Sequence, residues 1–227
     1  MAFLAIVTAA GRSRRMGGVN KLLMPLGGEP LLLHSLRRLD AFPALEAIVV
    51  SAPEGDEDTY RELFQGAGLT RVRAVVTGGA ERQESIFHAI RALEAAPDDV
   101  LAIHDAARPF LTHALLARLL DALSDWDGVL PVVPVKDTIK SVRCGGVEQT
   151  LPREQLVAAQ TPQVFSYSVI YQAHAEAARQ GYLGTDDCSL VEWRGGRIGV
   201  VEGDYRNLKV TTPEDLVIAE RLLQQVV

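Results

Sequence analysis

Apolar positions along the chain follow two alternating patterns. The first is a short continuous run, beginning with Phe3-Leu4-Ala5-Ile6-Val7, which predicts a strand buried on both faces. Ala47–Val50, Val72–Val76 and Val100–Ile103 repeat it. The second spaces apolar residues at i, i+3 and i+4 and predicts helices over Pro30–Leu39, Asp58–Gln65, Glu84–Ala95 and Leu115–Leu123. Val129–Val135 reads as a further strand, with Pro131 and Pro134 pointing to an edge or a bend. The resulting βαβαβαβαβ order argues for an α/β chain with a mainly parallel sheet covered on both faces.

The alternation then breaks. Thr138–Arg143 and Val147–Leu151 flank Gly145-Gly146 and read as a two-stranded antiparallel arm. An isolated hairpin is marginal in water, so a second subunit is the economical partner. Helices return at Ser168–Arg179 and Asp186–Trp193, a strand at Arg197–Val201, and a helix at Pro213–Leu223. The expectation is one domain over residues 1–227, with an arm inserted at about 138–152.

Composition narrows the class. The chain has 227 residues, 48% hydrophobic and 23% charged, a globular mix that excludes disorder. Its net charge of -6 gives no global field for nucleic acid or an anionic membrane, and neither is expected as a partner. Apolar runs fall short of the ~18 residues that span a bilayer. Met1–Ala10 lacks the basic region of a signal peptide, and two isolated cysteines, Cys144 and Cys188, fit free thiols in a cytoplasmic protein.

The loop after the first strand stands out. Residues 1–28 carry Arg12, Arg14, Arg15 and Lys21 and no carboxylate, a local +4 in an acidic chain. In an open α/β sheet this loop lies at the carboxyl edge, where ligands bind, and Gly11 lets backbone N–H groups approach an anion. Neither GxGxxG nor a Walker A motif fits, since Ser13 and Met16 occupy the wrong places.

The small-Ala-Gly start with Arg15-Met16-Gly17 and Lys21 resembles the signature of sugar-nucleotide-type nucleotidyltransferases. Further motifs follow in order: Gly78–Ser85, His104–Pro109, Val135–Lys140, Arg153, Thr161–Gln163, Thr185–Asp187 and Asn207–Asp215. Together they resemble the 2-C-methyl-D-erythritol 4-phosphate cytidylyltransferase family over essentially the whole chain. The resemblance implies a Rossmann-like nucleotidyltransferase fold with a protruding β-hairpin arm. It also implies cytidylyl transfer from CTP to methylerythritol phosphate in isoprenoid precursor biosynthesis, with Mg²⁺ as cofactor and a homodimer formed through the arm.

Residue by residue, the resemblance gives Arg15, Lys21, Arg153 and Lys209 as the catalytic cations. It gives Ala9, Ala10, Gly11, Gly79, Ser85 and Asp105 to CTP, and Ala106, Arg108, Thr138 and Thr185 to the acceptor. Asp105 would meet a Mg²⁺ held mostly by the CTP phosphates. Ala80 stands where the family commonly has an acid, and Asn20 where it commonly has proline.

Chemistry supports such a set. The attacking phosphate oxygen is already anionic, so no general base is required; the demand is positioning and charge neutralisation. Plain structural roles stay open beside these. Asp105 could cap a helix or pair with Arg108, Arg153 could be a solvated surface cation, Thr138 a strand former, and Lys209 part of a helix-start turn. A cytidylyltransferase for another polyol phosphate, such as ribitol phosphate, differs mainly in the acceptor pocket. A nucleotide-binding regulator without turnover should lack Arg15, Lys21 or Lys209, and all three are present.

Overall fold

A computed structural model describes residues 1–11 and 20–225. Its elements are β1 (Phe3–Thr8), β2 (Pro25–Leu26), β3 (Glu29–Pro30), α1 (Leu31–Asp40), β4 (Leu45–Ala52), α2 (Glu57–Gly66), β5 (Val72–Thr77) and α3 (Arg82–Arg91). There follow β6 (Val100–Asp105), α4 (His113–Ala122), β7 (Gly128–Pro134), β8 (Lys140–Arg143), β9 (Gly146–Thr150), β10 (Val157–Ala159) and β11 (Gln163–Ser166). The chain continues with α5 (Tyr167–Gln180), α6 (Asp187–Trp193), β12 (Ile198–Glu202) and α7 (Pro213–Leu223).

The central sheet runs β7–β11–β6–β1–β4–β5, with β10 and β12 also paired to β7. β1 is parallel to both β4 and β6, β4 to β5, and β7 to β12. The apolar run of β1 serves two cores at once. Phe3, Ala5 and Val7 face a cluster built by α1, α2, α4 and α7. Leu4 and Ile6 face a second cluster built by α3, α5 and α6. Alternate residues of a strand point to opposite faces, so an unbroken apolar run is what a sheet covered on both sides requires.

Two departures from the sequence expectation matter here. β11 inserts between β6 and β7 and is antiparallel to both, so the parallel order stops at β6. β7 is also interior rather than an edge, despite its prolines. Proline removes a donor but keeps its acceptor. The Pro131 carbonyl accepts the Gln160 N–H at 2.8 Å, and the Pro134 carbonyl accepts the Tyr205 hydroxyl at 2.7 Å.

The arm forms as β8 and β9, with Val142 and Val147 each 63% exposed. α7 starts as its Thr212-Pro213 sequence predicts, with Thr212 and Asp215 closing a reciprocal cap and Pro213 in the first turn.

Candidate active site

The carboxyl ends of β1 and β6 lie in register, Thr8 beside Asp105. Ala9 follows β1 and donates its N–H to the Ser51 carbonyl of β4 at 2.9 Å. Ala10 packs against Gly78, where a Cβ would come within 2.2 Å of the Ala10 methyl. Gly79 N–H donates to Ser85 Oγ at 2.9 Å, and Ser85 Oγ donates to the Glu81 carbonyl at 3.0 Å. Ala9, Ala10, Gly79 and Ser85 are therefore joined in one cradle of small residues at the sheet's carboxyl edge. Glu84 Oε2 accepts from the N–H of Ala80 at 2.8 Å, so an acid four residues on meets the backbone where the family commonly has an acidic side chain. Gly11 is exposed beside this cradle. Arg15, with Arg12 and Arg14, lies outside the described residues.

Asp105 is the centre of charge. Its side chain is 8% exposed and is met by Lys209 Nζ at 2.8 Å, Arg82 Nε at 3.5 Å and Arg108 Nε at 3.8 Å. Thr8 Oγ1 also donates to it, at 3.2 Å. Burial alone would raise the pKa of this carboxyl. Lys209 first and Arg82 next overturn that and hold it well below the usual carboxylate range.

Lys209 arrives from the segment between β12 and α7, and that segment is firmly seated. Val210 N–H donates to the Ala107 carbonyl at 2.9 Å. Asn207 donates through Nδ2 to the Thr161 carbonyl at 2.9 Å and accepts Arg108 on its backbone carbonyl at 2.7 Å. Lys21 Nζ donates to the Val210 carbonyl at 2.8 Å, which brings the lysine of the first loop beside the turn bearing Lys209. Ala106 is buried, its N–H bonded to the Thr8 carbonyl and its carbonyl accepting from Ser35.

The guanidinium of Arg108 is largely spent on the backbone. Its terminal nitrogens reach the carbonyls of Asn207 at 2.7 Å and Ala159 at 3.5 Å. Thr185 is exposed on the loop before α6, and Gln83 ties that loop to α3 through the Tyr182 carbonyl and the Gly184 N–H. Thr138 and Arg153 stand exposed at the two roots of the arm, where Arg153 donates to the Lys136 carbonyl at 2.9 Å.

His104 is buried, with both ring nitrogens engaged by its own fold. Burial lowers its pKa to about 4, so the ring is neutral at pH 7. Nε2 is 3.1 Å from the Arg108 carbonyl, which requires the proton there, and Nδ1 then accepts from the Thr161 hydroxyl at 3.1 Å. Both nitrogens hold the β6 end in shape. Among the described residues, no group of three His, Cys, Asp or Glu side chains is placed to hold a metal ion.

Sequence reasoning assigned no role to Arg82, Asp187, Gln163 or Asn207, all of which the fold draws into this region. All four lie inside the motifs quoted above, and Arg82 carries a further signal as a cation at the first position of a helix, where the dipole disfavours it.

A family profile for 2-C-methyl-D-erythritol 4-phosphate cytidylyltransferase matches residues 3–225. The chain belongs to that family. The enzyme of that name from Geotalea uraniireducens is 47% identical over 100% of this chain and 98% of its own. The one from Syntrophotalea carbinolica is 44% identical, covering 98% and 97%. The crystal structure of the cytidylyltransferase from Thermus thermophilus superposes with a TM-score of 0.81 at 33% identity, over 99% and 100% of the two chains. That of the Anaerococcus prevotii synthase gives 0.86 at 28% identity, over 98% and 96%. Membership of the cytidylyltransferase family makes this chain one of the nucleotidyltransferases, with their mixed α/β architecture. No helix among the described residues is long and apolar enough to cross a membrane.

Proposed function

We infer that this chain transfers the cytidylyl group of CTP to 2-C-methyl-D-erythritol 4-phosphate in the cytoplasm, as a step of isoprenoid precursor synthesis. A phosphate oxygen of the acceptor forms a bond to the α-phosphorus, the bond from the α-phosphorus to the bridging oxygen breaks, and diphosphate leaves. The products are 4-diphosphocytidyl-2-C-methyl-D-erythritol and diphosphate.

The observation that carries this reading is that Lys209 meets Asp105 while Lys21 reaches the same turn through the Val210 carbonyl, beside a cradle of small residues. Two polyanions must meet in this reaction, and fixed cations are what lowers that barrier. Lys21 neutralises charge developing on the α-phosphate, together with Arg15. Lys209 grips the acceptor phosphate. Ala9, Ala10, Gly79 and Ser85 seat the cytosine, with Gly11 against the triphosphate; Ala106, Arg108 and Thr185 border the acceptor. No residue need remove a proton, which agrees with a buried His104 whose two ring nitrogens are already engaged by Arg108 and Thr161.

Mg²⁺ fits Asp105. The carboxylate and the nearby Thr8 hydroxyl offer hard oxygen donors, and one carboxylate suffices where substrate phosphates supply most of the ligands. When bound, the ion would neutralise phosphate charge. The exposed arm supports a homodimer in which Thr138 and Arg153 complete the partner's acceptor site.

A substrate panel tests the reading. CTP, ATP, GTP and UTP are each paired with methylerythritol phosphate, ribitol phosphate and glycerol phosphate in Mg²⁺, and diphosphate release is followed. CTP with methylerythritol phosphate is expected to lead; a clear preference for another pair refutes the assignment.

A further inference from the structure

Arg82 opens α3, where aligned peptide dipoles already present positive charge. Its guanidinium is held there between two carboxylates. One terminal nitrogen lies 2.8 Å from Asp187 Oδ2, and Nε lies 3.5 Å from Asp105 Oδ1. Asp187 is buried at the start of α6. Its other oxygen meets His174 Nε2 at 3.1 Å, and its N–H donates to Gln163 Oε1 at 3.1 Å. One end of Arg82 is thus anchored by Asp187 at the start of α6, and the other end faces the buried carboxylate of Asp105.

The three cations around Asp105 differ in freedom. Arg108 is 10% exposed and committed to two carbonyls. Arg82 is 33% exposed and tethered by Asp187. Lys209, at 39%, is the most open of the three.

We propose that Arg82 is a positioning residue: tethered by Asp187, it keeps Asp105 charge-balanced and so frees Lys209 to leave that carboxylate for the acceptor phosphate. This rests on the reading of Lys209 as the phosphate grip. With Arg82 gone, Lys209 at 2.8 Å and Arg108 at 3.8 Å are, among the described residues, the two cations left beside a carboxylate that is 8% exposed. Moving Lys209 away would then leave the buried carboxylate with Arg108, 3.8 Å away and committed to two carbonyls, and a share of a Mg²⁺ whose charge goes mostly to the CTP phosphates, a shortfall that proteins strongly resist. Arg82 touches no reacting atom; its influence passes through Asp105 to Lys209.

Binding separates this from a structural role. Calorimetry would give the Kd of methylerythritol phosphate on enzyme saturated with Mg²⁺ and α,β-methylene-CTP, and the Kd of that nucleotide itself. Arg82→Gln is expected to weaken acceptor binding by about tenfold or more and nucleotide binding by less than about threefold. In an Asp105→Asn background, where Asp187 is the one carboxylate that still needs the guanidinium, the same substitution should change acceptor binding by less than about twofold. Arg82→Lys keeps one charge and should fall between Arg82→Gln and the parent, a readout that stands if Arg82→Gln does not fold. Equal losses in both backgrounds, or a larger loss for the nucleotide, overturn the proposal. Lys209→Ala with parental acceptor affinity would instead refute the reading of Lys209 on which it rests.

Discussion

Gly78 offers a sharp test of how the small-residue cradle is packed. A Cβ at this position would lie 2.2 Å from the Ala10 methyl, 3.0 Å from Ser85 Oγ and 3.2 Å from the Ala52 carbonyl oxygen. Carbon atoms prefer about 3.5–4.0 Å, so Ala10 must retreat by more than an ångström, and its methyl can move only with the backbone. Overpacking of this kind costs about 1–3 kcal/mol. Against it, replacing glycine with alanine stabilises by about 0.4–1 kcal/mol through the unfolded chain. The overlap wins, leaving Gly78→Ala destabilised by about 1–2 kcal/mol, or roughly 2–8 °C in Tm for a chain of this size. Because the displaced segment joins Ala9 to Gly11, the KM for CTP should rise as well. Gly66→Ala is the control: a Cβ there meets nothing within 4 Å, so stability should hold or rise. Thermal unfolding and initial rates against CTP check both variants. A Gly78→Ala protein with parental Tm and CTP KM would refute the packing argument.

Lys21→Ala should lower kcat by roughly two to three orders of magnitude while changing CTP affinity far less, as measured by single-turnover kinetics; Lys21→Arg should also be poor. Stability should fall on acidification from pH 7 to 5. His104 has its pKa lowered from 6.5 to about 4, so the unfolded chain binds the extra proton across that window, a loss of about 2 kcal/mol at pH 5 by urea unfolding. Asp105 and Asp187, both held low, add their loss at still lower pH. Undiminished stability at pH 5 would contradict a neutral buried ring. If Arg153 acts in the partner's site, mixed dimers of Arg153→Ala and Lys21→Ala should regain towards half of parental activity per dimer, whereas no recovery in confirmed mixed dimers places Arg153 in its own subunit's site.

The parts of the fold that announced themselves did so through local physics. β1, β4, β5 and β6 are apolar runs buried on both faces, and α7 carries its own cap in Thr212-Pro213-Glu214-Asp215. β10 and β11 were silent. They are three and four residues long, and Gln163-Val164-Phe165-Ser166 has polar ends; what makes it a strand is pairing with β6 and β7 on either side. α3 begins two residues earlier than its apolar spacing suggests, because Arg82 and Gln83 carry no periodic signal. The site divides in the same way. Asp105, Lys209 and the small residues of the cradle stand in recognisable order along the chain. The ion pair of Arg82 with Asp187 joins two helix starts far apart in sequence, and no spacing rule reveals such a pair.

The seat of Lys209 also sets a timetable. Asp105 acquires Arg82 and Arg108 from its own neighbourhood in sequence, but its closest counter-charge is translated about a hundred residues later. At roughly 5–20 residues per second, a growing chain spends on the order of 5–20 s with β1 and β6 synthesised and Lys209 still to come. Throughout that interval Arg82 and Arg108 are the two of its three cations that the chain already contains. Lys209 is therefore the last of the three cations around Asp105 to be made, and ribosome-arrested chains ending just before the Asn207–Val210 segment should bind acceptor no better than full-length Lys209→Ala.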